Sequence, residues 1–135
     1  MPSCDIHKVY MNIAYEISKM SYASRLKVGA LLVKDNSIIS FGYNGMPYGF
    51  DNVCETNDVT NPEVLHAESN AVIKICKSTQ SSEGASLYVT TSPCFECSKL
   101  IIQAGIKNVY YNNLYRNIEG IELLKKANIN IFKID

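Results

Sequence analysis

Charge of neither sign is in excess in this sequence. Thirteen Lys plus Arg offset thirteen Asp plus Glu, so the chain lacks the basic field that draws proteins to nucleic acid, and an anionic ligand must meet a local cationic site. Nucleic acid is not an expected partner. No apolar run approaches the ~20 residues of a membrane span, and Met1 to Asp5 lead into a mixed polar and apolar segment without a signal-peptide core. No membrane association is expected, and a cytoplasmic location follows. A disulfide framework is missing as well. The five cysteines are an odd number in a chain of 135 residues, long enough to bury a core without staples. Cys4, Cys54 and Cys76 have no close pairing partner and read as inert thiols, buried or near the surface. Internal repeats, low-complexity tracts and linkers are absent, so residues 1–135 are expected to form one domain, and 47% hydrophobic with 19% charged residues places it among soluble globular chains.

What is present is an alternation of helices and strands. Ile6, Val9, Tyr10, Ile13, Ile17 and Met20 recur at helical spacing across Asp5 to Met20. Val28 to Val33 and Ile38 to Tyr43 read as strands paired through Lys34-Asp35-Asn36-Ser37, whose central residues tolerate a left-handed backbone. From Gly42 to Pro62 a long irregular segment is expected, and long loops in compact domains are usually functional. A second helix starts near His66 and fails by Ser78. Leu87 to Thr90 is a third strand. Ser92 as cap and Pro93 at the first position open a third helix that Gly105 ends. Val109 to Tyr111, Ile118 to Ala127 and Ile129 to Phe132 follow as strand, helix and strand. This order implies right-handed crossovers between parallel neighbours, and so an α/β fold, a three-layer α/β/α sandwich around a five-stranded mixed sheet.

Chemistry is concentrated in His66, Glu68, Cys94 and Cys97. Catalytic zinc takes three protein ligands and keeps a fourth position for water, and His66, Cys94 and Cys97 supply three. Both sulfurs fall in the first turn of a helix, where free N–H groups and the dipole favour thiolate. Cys-x-x-Cys alone also suits a redox pair or half of a structural zinc site. The latter needs a fourth ligand at short spacing, and none appears. His66 and Glu68, two residues apart, point ~200° away from each other on a regular helix, so they share a site only if the helix begins near His66 and meets the metal end-on. Two helix N-termini should then converge. His7 has no such neighbours and reads as a surface or satisfied core residue, and Glu96 as an exposed carboxylate near a favourable dipole end.

His66-Ala67-Glu68 followed by Pro93-Cys94-Phe95-Glu96-Cys97 matches the zinc nucleobase-deaminase signature His-x-Glu with Pro-Cys-x-x-Cys. Glu68 is then the catalytic proton carrier. Four blocks make the sequence resemble the deoxycytidylate (dCMP) deaminase family, including its phage members. They are Val28-Gly29-Ala30, Gly42-Tyr43-Asn44-Gly45 with Pro47 and Gly49, His66-Ala67-Glu68-Ser69-Asn70-Ala71, and Tyr88-Val89-Thr90-Thr91-Ser92-Pro93-Cys94 through Cys97. The resemblance implies one catalytic Zn2+ per chain and conversion of dCMP to dUMP, with Asn44 on the deoxyribose hydroxyl and the Ala67 amide and a carbonyl near Ser92 on the cytosine edge. Arg25, Lys27 and Arg116 are candidates for the phosphate or are solvated charges; Tyr115 stacks on the pyrimidine or packs. The resemblance further implies a homohexamer activated by dCTP and inhibited by dTTP with Mg2+, an effector site around Tyr43, Asn44 and Gly45, and host-cell cytoplasm for a phage-encoded chain. Some members hold a second, structural zinc before the His-Ala-Glu block, but Val53 to Leu65 is short here and offers only Cys54. Other readings are a deaminase of tRNA adenosine or of another nucleoside or nucleotide, and, from a different class, a catalytically dead zinc or nucleotide-sensing module.

Overall fold

The computed structural model describes residues 5–135; Cys4 lies outside them. Four α-helices, α1 (Ile6–Ser18), α2 (Ala67–Lys74), α3 (Phe95–Gln103) and α4 (Glu119–Lys126), accompany seven strands. These are β1 (Gly29–Lys34), β2 (Ser37–Tyr43), β3 (Glu55–Thr56), β4 (Val59–Thr60), β5 (Ser86–Thr91), β6 (Asn108–Asn113) and β7 (Asn130–Lys133), and a 3-10 turn at Ile75–Lys77 follows α2. Five of the strands form one sheet in the order β2-β1-β5-β6-β7. β1 is antiparallel to both β2 and β5, while β5, β6 and β7 run parallel. This is the expected mixed sheet.

Strand periodicity assigns the two faces. On one, Ala30 and Leu32 of β1, Leu87 and Val89 of β5 and Val109 of β6 pack with Ala71 of α2, Ile101 of α3 and Leu124 of α4. On the other, Leu31, Val33 and Tyr88 pack with Tyr10, Ile13 and Ile17 of α1. One helix above and three below give the three-layer α/β/α sandwich. His7 belongs to the α1 face. Its ring stacks on Tyr110 with centroids 4.6 Å apart, and its Nδ1 lies 2.6 Å from the Tyr88 hydroxyl. It is a satisfied packing residue.

Local chemistry sets the boundaries. The Asp5 side chain accepts from the His7 N–H and caps α1. Asp35 and Asn36 adopt φ of 51° and 62°, the left-handed pair that a two-residue hairpin turn requires. Two expectations are corrected. The irregular segment before Pro62 contains the β3–β4 ribbon, turned by Asn57 and Asp58 at φ of 53° and 63°. Secondly, α3 starts at Phe95 with Cys94 as its cap, not at Pro93 with Ser92. The parallel pairing of β5 with β6 runs on through Thr91 and Asn113, and the Ser92 N–H still donates to the Asn113 carbonyl at 2.8 Å. Ser92 is therefore held in the sheet, and the chain turns only after Pro93. Among the described residues, no helix is long and apolar enough to cross a membrane.

Candidate active site

The C-terminal ends of β5 and β6, the start of β1 and the end of β2 meet at one edge of the sheet, where α/β proteins commonly hold ligands. A cleft of about 610 Å³ opens there, lined among others by Arg25, Asn44, His66, Glu68, Cys94 and Arg116. Its floor is built by two helix starts. His66 is the N-cap of α2, in extended conformation at φ −72° and ψ 157°. Glu68 is consequently the second residue of the helix, and the pair avoids the opposed directions of a mid-helix position. Cys94 is the N-cap of α3, and its Sγ accepts from the Cys97 N–H at 3.4 Å.

His66 Nδ1 lies 3.4 Å from Cys94 Sγ and 3.3 Å from Cys97 Sγ. All three donor atoms fall within 4.8 Å of one another. One imidazole nitrogen and two sulfurs are a borderline-soft set that suits Zn2+, and three ligands leave a position for a fourth. The residues present fit the metal. Ser69, also in the first turn of α2, adds a contact with no local sequence signal: its buried Oγ lies 3.4 Å from Cys97 Sγ.

The electrostatics follow from burial and proximity. Glu68 is 4% exposed, and desolvation of its carboxylate pushes its pKa up to about 7. Hydrogen bonding from Cys97 holds Cys94 low, with help from His66 and the Cys97 N–H. Cys97 is raised, first by its bond to Cys94 and then by burial. Two adjacent sulfurs cannot both carry charge without a cation between them. His66 is raised, chiefly by its bond to Cys94.

The remaining sequence candidates divide. Ala67, Ser92 and Tyr115 line the cleft with Asn44, Arg25 and Arg116, whereas Lys27 is exposed and is absent from its wall. Ser92 Oγ accepts from the Tyr115 N–H at 2.6 Å and fixes the segment after β6. The Asn44 side chain grips the chain ahead of β1, its Oδ1 accepting from the Val28 N–H at 2.8 Å and its Nδ2 donating to the Leu26 carbonyl at 2.7 Å. Tyr43 and Gly45 sit behind the wall, where Gly45 and Leu65 exchange backbone hydrogen bonds and Asn70 Nδ2 donates to the Tyr43 carbonyl. Cys54 is buried in the wall and Cys76 is exposed. Glu55, in the same wall, was missed by sequence reasoning. The Asn57-Asp58 turn chemistry is the signal that would have placed its strand.

The pattern of the cytidine and deoxycytidylate deaminase zinc-binding region matches residues 5–113. Among relatives, ComE operon protein 2 of Bacillus subtilis (strain 168) is 35% identical over 134 residues, covering 96% of this chain and 71% of its own length. The deoxycytidylate deaminase of Enterobacteria phage T4 is 30% identical over 168 residues, covering 92% of this chain and 87% of its own. A crystal structure of the dCMP deaminase from cyanophage S-TIM5, in complex with dCMP and dUMP, superposes with a TM-score of 0.95 at 46% identity, covering 99% of this chain and 100% of that one. With its zinc-fitting donor set between two helix ends, the chain belongs to the cytidine and deoxycytidylate deaminase zinc-binding family.

Proposed function

We propose that residues 1–135 form one deaminase domain that hydrolyses dCMP to dUMP and ammonia. The observation that carries the reading is the buried Glu68 carboxyl beside the His66, Cys94 and Cys97 donor set, on the floor of a cleft that also holds two arginines. Zn2+ on these three ligands supplies Lewis-acid activation of water at neutral pH. The protein's own part is proton traffic and positioning. Poised near neutrality, Glu68 can accept a proton from water and return it to the substrate. In the balanced reaction the water oxygen becomes the C4 carbonyl and the C4–N bond breaks. Of the two water protons, one ends on ring N3 and the other on the departing ammonia. The Ala67 N–H and a carbonyl near Ser92 read the cytosine edge, Asn44 takes the sugar hydroxyl, and Arg25 with Arg116 takes the phosphate.

The unpaired state of the arginines supports the phosphate assignment. Among the described residues, the ion pairs are Lys19 with Glu16 and Lys99 with Glu96, so neither cleft arginine is held in a direct ion pair. By resemblance, the proposal extends to a cytoplasmic homohexamer with dCTP as activator and dTTP as inhibitor, each with Mg2+. An effector on Tyr43 and Gly45 would act on α2 through Leu65 and Asn70, which tie that loop to the start of the helix.

The test is ammonia release from cytidine, dCMP, CMP and dCTP, with and without dCTP or dTTP as effector. Preference for dCMP is expected; turnover of cytidine with none of dCMP overturns the substrate. Glu68→Gln should retain one zinc per chain by metal analysis and lose at least about 10²-fold in kcat. Unchanged turnover overturns the role of Glu68.

A further inference from the structure

The segment that carries Arg25 has no regular secondary structure, yet it is tied down at several points. Glu55 Oε2 accepts from the N–H groups of both Ser24, at 3.0 Å, and Arg25, at 3.1 Å. Arg25 Nη1 reaches Thr60 Oγ1 at 3.5 Å. Glu55 and Thr60 face each other across the β3–β4 ribbon, so one small element holds both the backbone and the side chain of Arg25. On the far side, Asn44 grips Leu26 and Val28.

The division of labour within Glu55 is informative. A carboxylate close to an arginine ordinarily pairs with the guanidinium, and such a pair would cancel the charge an anionic ligand needs. Glu55 instead turns one carboxylate oxygen, Oε2, to two backbone amides, and the Arg25 charge acts on it only through space, the last of the causes that lower its pKa after the Arg25 and Ser24 hydrogen bonds. No carboxylate among the described residues lies within 4.0 Å of the Arg25 guanidinium. Both side chains line the cleft.

We propose that Glu55 is a positioning residue for phosphate recognition, fixing the Ser24–Arg25 backbone so that Arg25 meets the substrate phosphate with its guanidinium free of a direct ion pair. The proposal rests on the assignment of Arg25 to the phosphate. It makes the β3–β4 ribbon, through Arg25, one of the elements by which this chain distinguishes a nucleotide from its nucleoside. Glu55 touches neither the base nor the reacting atoms in this role and acts only through Arg25.

Steady-state kinetics with dCMP and with deoxycytidine, on zinc-loaded wild type, Arg25→Ala, Glu55→Ala, Glu55→Gln and the Arg25→Ala/Glu55→Ala double variant, test it. Glu55→Ala should raise KM for dCMP about tenfold with little change in kcat, and leave kcat/KM for deoxycytidine unmoved. Glu55→Gln, which keeps one acceptor oxygen, should recover part of the loss. In the Arg25→Ala background, Glu55→Ala should add nothing further. If Glu55→Ala and Glu55→Gln weaken both substrates equally, or their effect adds fully to that of Arg25→Ala, the positioning role is overturned while the arginine assignment stands. If Arg25→Ala itself fails to separate dCMP from deoxycytidine, that assignment falls and takes this proposal with it.

Discussion

Glu68 and Ser69 are adjacent in the first turn of α2, and the same burial serves them differently. For Glu68 it raises the carboxyl from 4.5 to about 7. A raised pKa means the folded state favours the protonated form, so the associated stability is fully present below pH 4.5 and is lost as pH rises through about 7. The shift corresponds to roughly 3 kcal/mol for a buried group. In the zinc-free protein, denaturant unfolding should therefore show a fall in stability between about pH 5 and 8 that Glu68→Gln lacks; parallel curves for the two proteins would contradict it. Ser69 donates no proton to chemistry, but its hydroxyl is within reach of Cys97 Sγ, and partners of ligating residues commonly govern metal retention. Ser69→Ala should lose zinc to a competing chelator at roughly tenfold lower chelator concentration, with Ser69→Thr closer to wild type. These two residues also differ in legibility. Glu68 announced itself by its fixed spacing from His66, whereas Ser69 meets Cys97 only because two helices 28 residues apart in the chain are packed end to end. Such a contact belongs to tertiary geometry and leaves no mark on local sequence.

At the scale of elements, the periodic segments were readable, and so were the starts of α1 at Asp5 and α2 at His66, but the start of α3 was not. Cys97, Leu100, Ile101 and Ala104 recur at helical spacing and mark α3, but Ser92-Pro93 imitates a cap and first turn, while strand pairing holds Ser92 in the sheet. Tertiary pairing overrode local preference. The same junction explains why the second residue of α4, Gly120, must be small. A Cβ on Gly120 would lie 2.2 Å from the Pro93 carbonyl oxygen and 2.7 Å from the Cys94 carbonyl carbon, both backbone atoms that cannot rotate away. Helix propensity alone predicts that Gly120→Ala stabilises by up to ~1 kcal/mol. Overpacking costs typically ~1–3 kcal/mol, and here the crowded atoms belong to Cys94 and to the residue just before it. Gly120→Ala should lower both the thermal midpoint and zinc affinity; a raised midpoint with unchanged affinity would show that α4 can move aside without cost.

For the whole molecule, the three layers and the mixed character of the sheet were legible because alternating apolar runs leave few ways to cover such a sheet. The cleft wall was less so, since β3 and β4 are two residues each and too short to carry periodicity. The site has a structural consequence at this scale. α2 covers β1 and β2, while α3 packs on α4, which in turn reaches β7. The His66, Cys94 and Cys97 donor set thus joins helices that cover opposite halves of the sheet. A metal that binds only the folded state stabilises it by mass action, by about 2.7 kcal/mol at a free concentration of one hundred times Kd. Chelation should therefore lower the unfolding midpoint, and hydrogen exchange should locate the loss. Protection should fall first in the opening turns of α2 and α3, where His66 and Cys94 cap the helices, while the central strands β1 and β5, buried on both faces, should keep theirs. A loss spread evenly across the sheet would mean that metal binding is coupled to the fold as a whole instead of to the seam between its two helical halves.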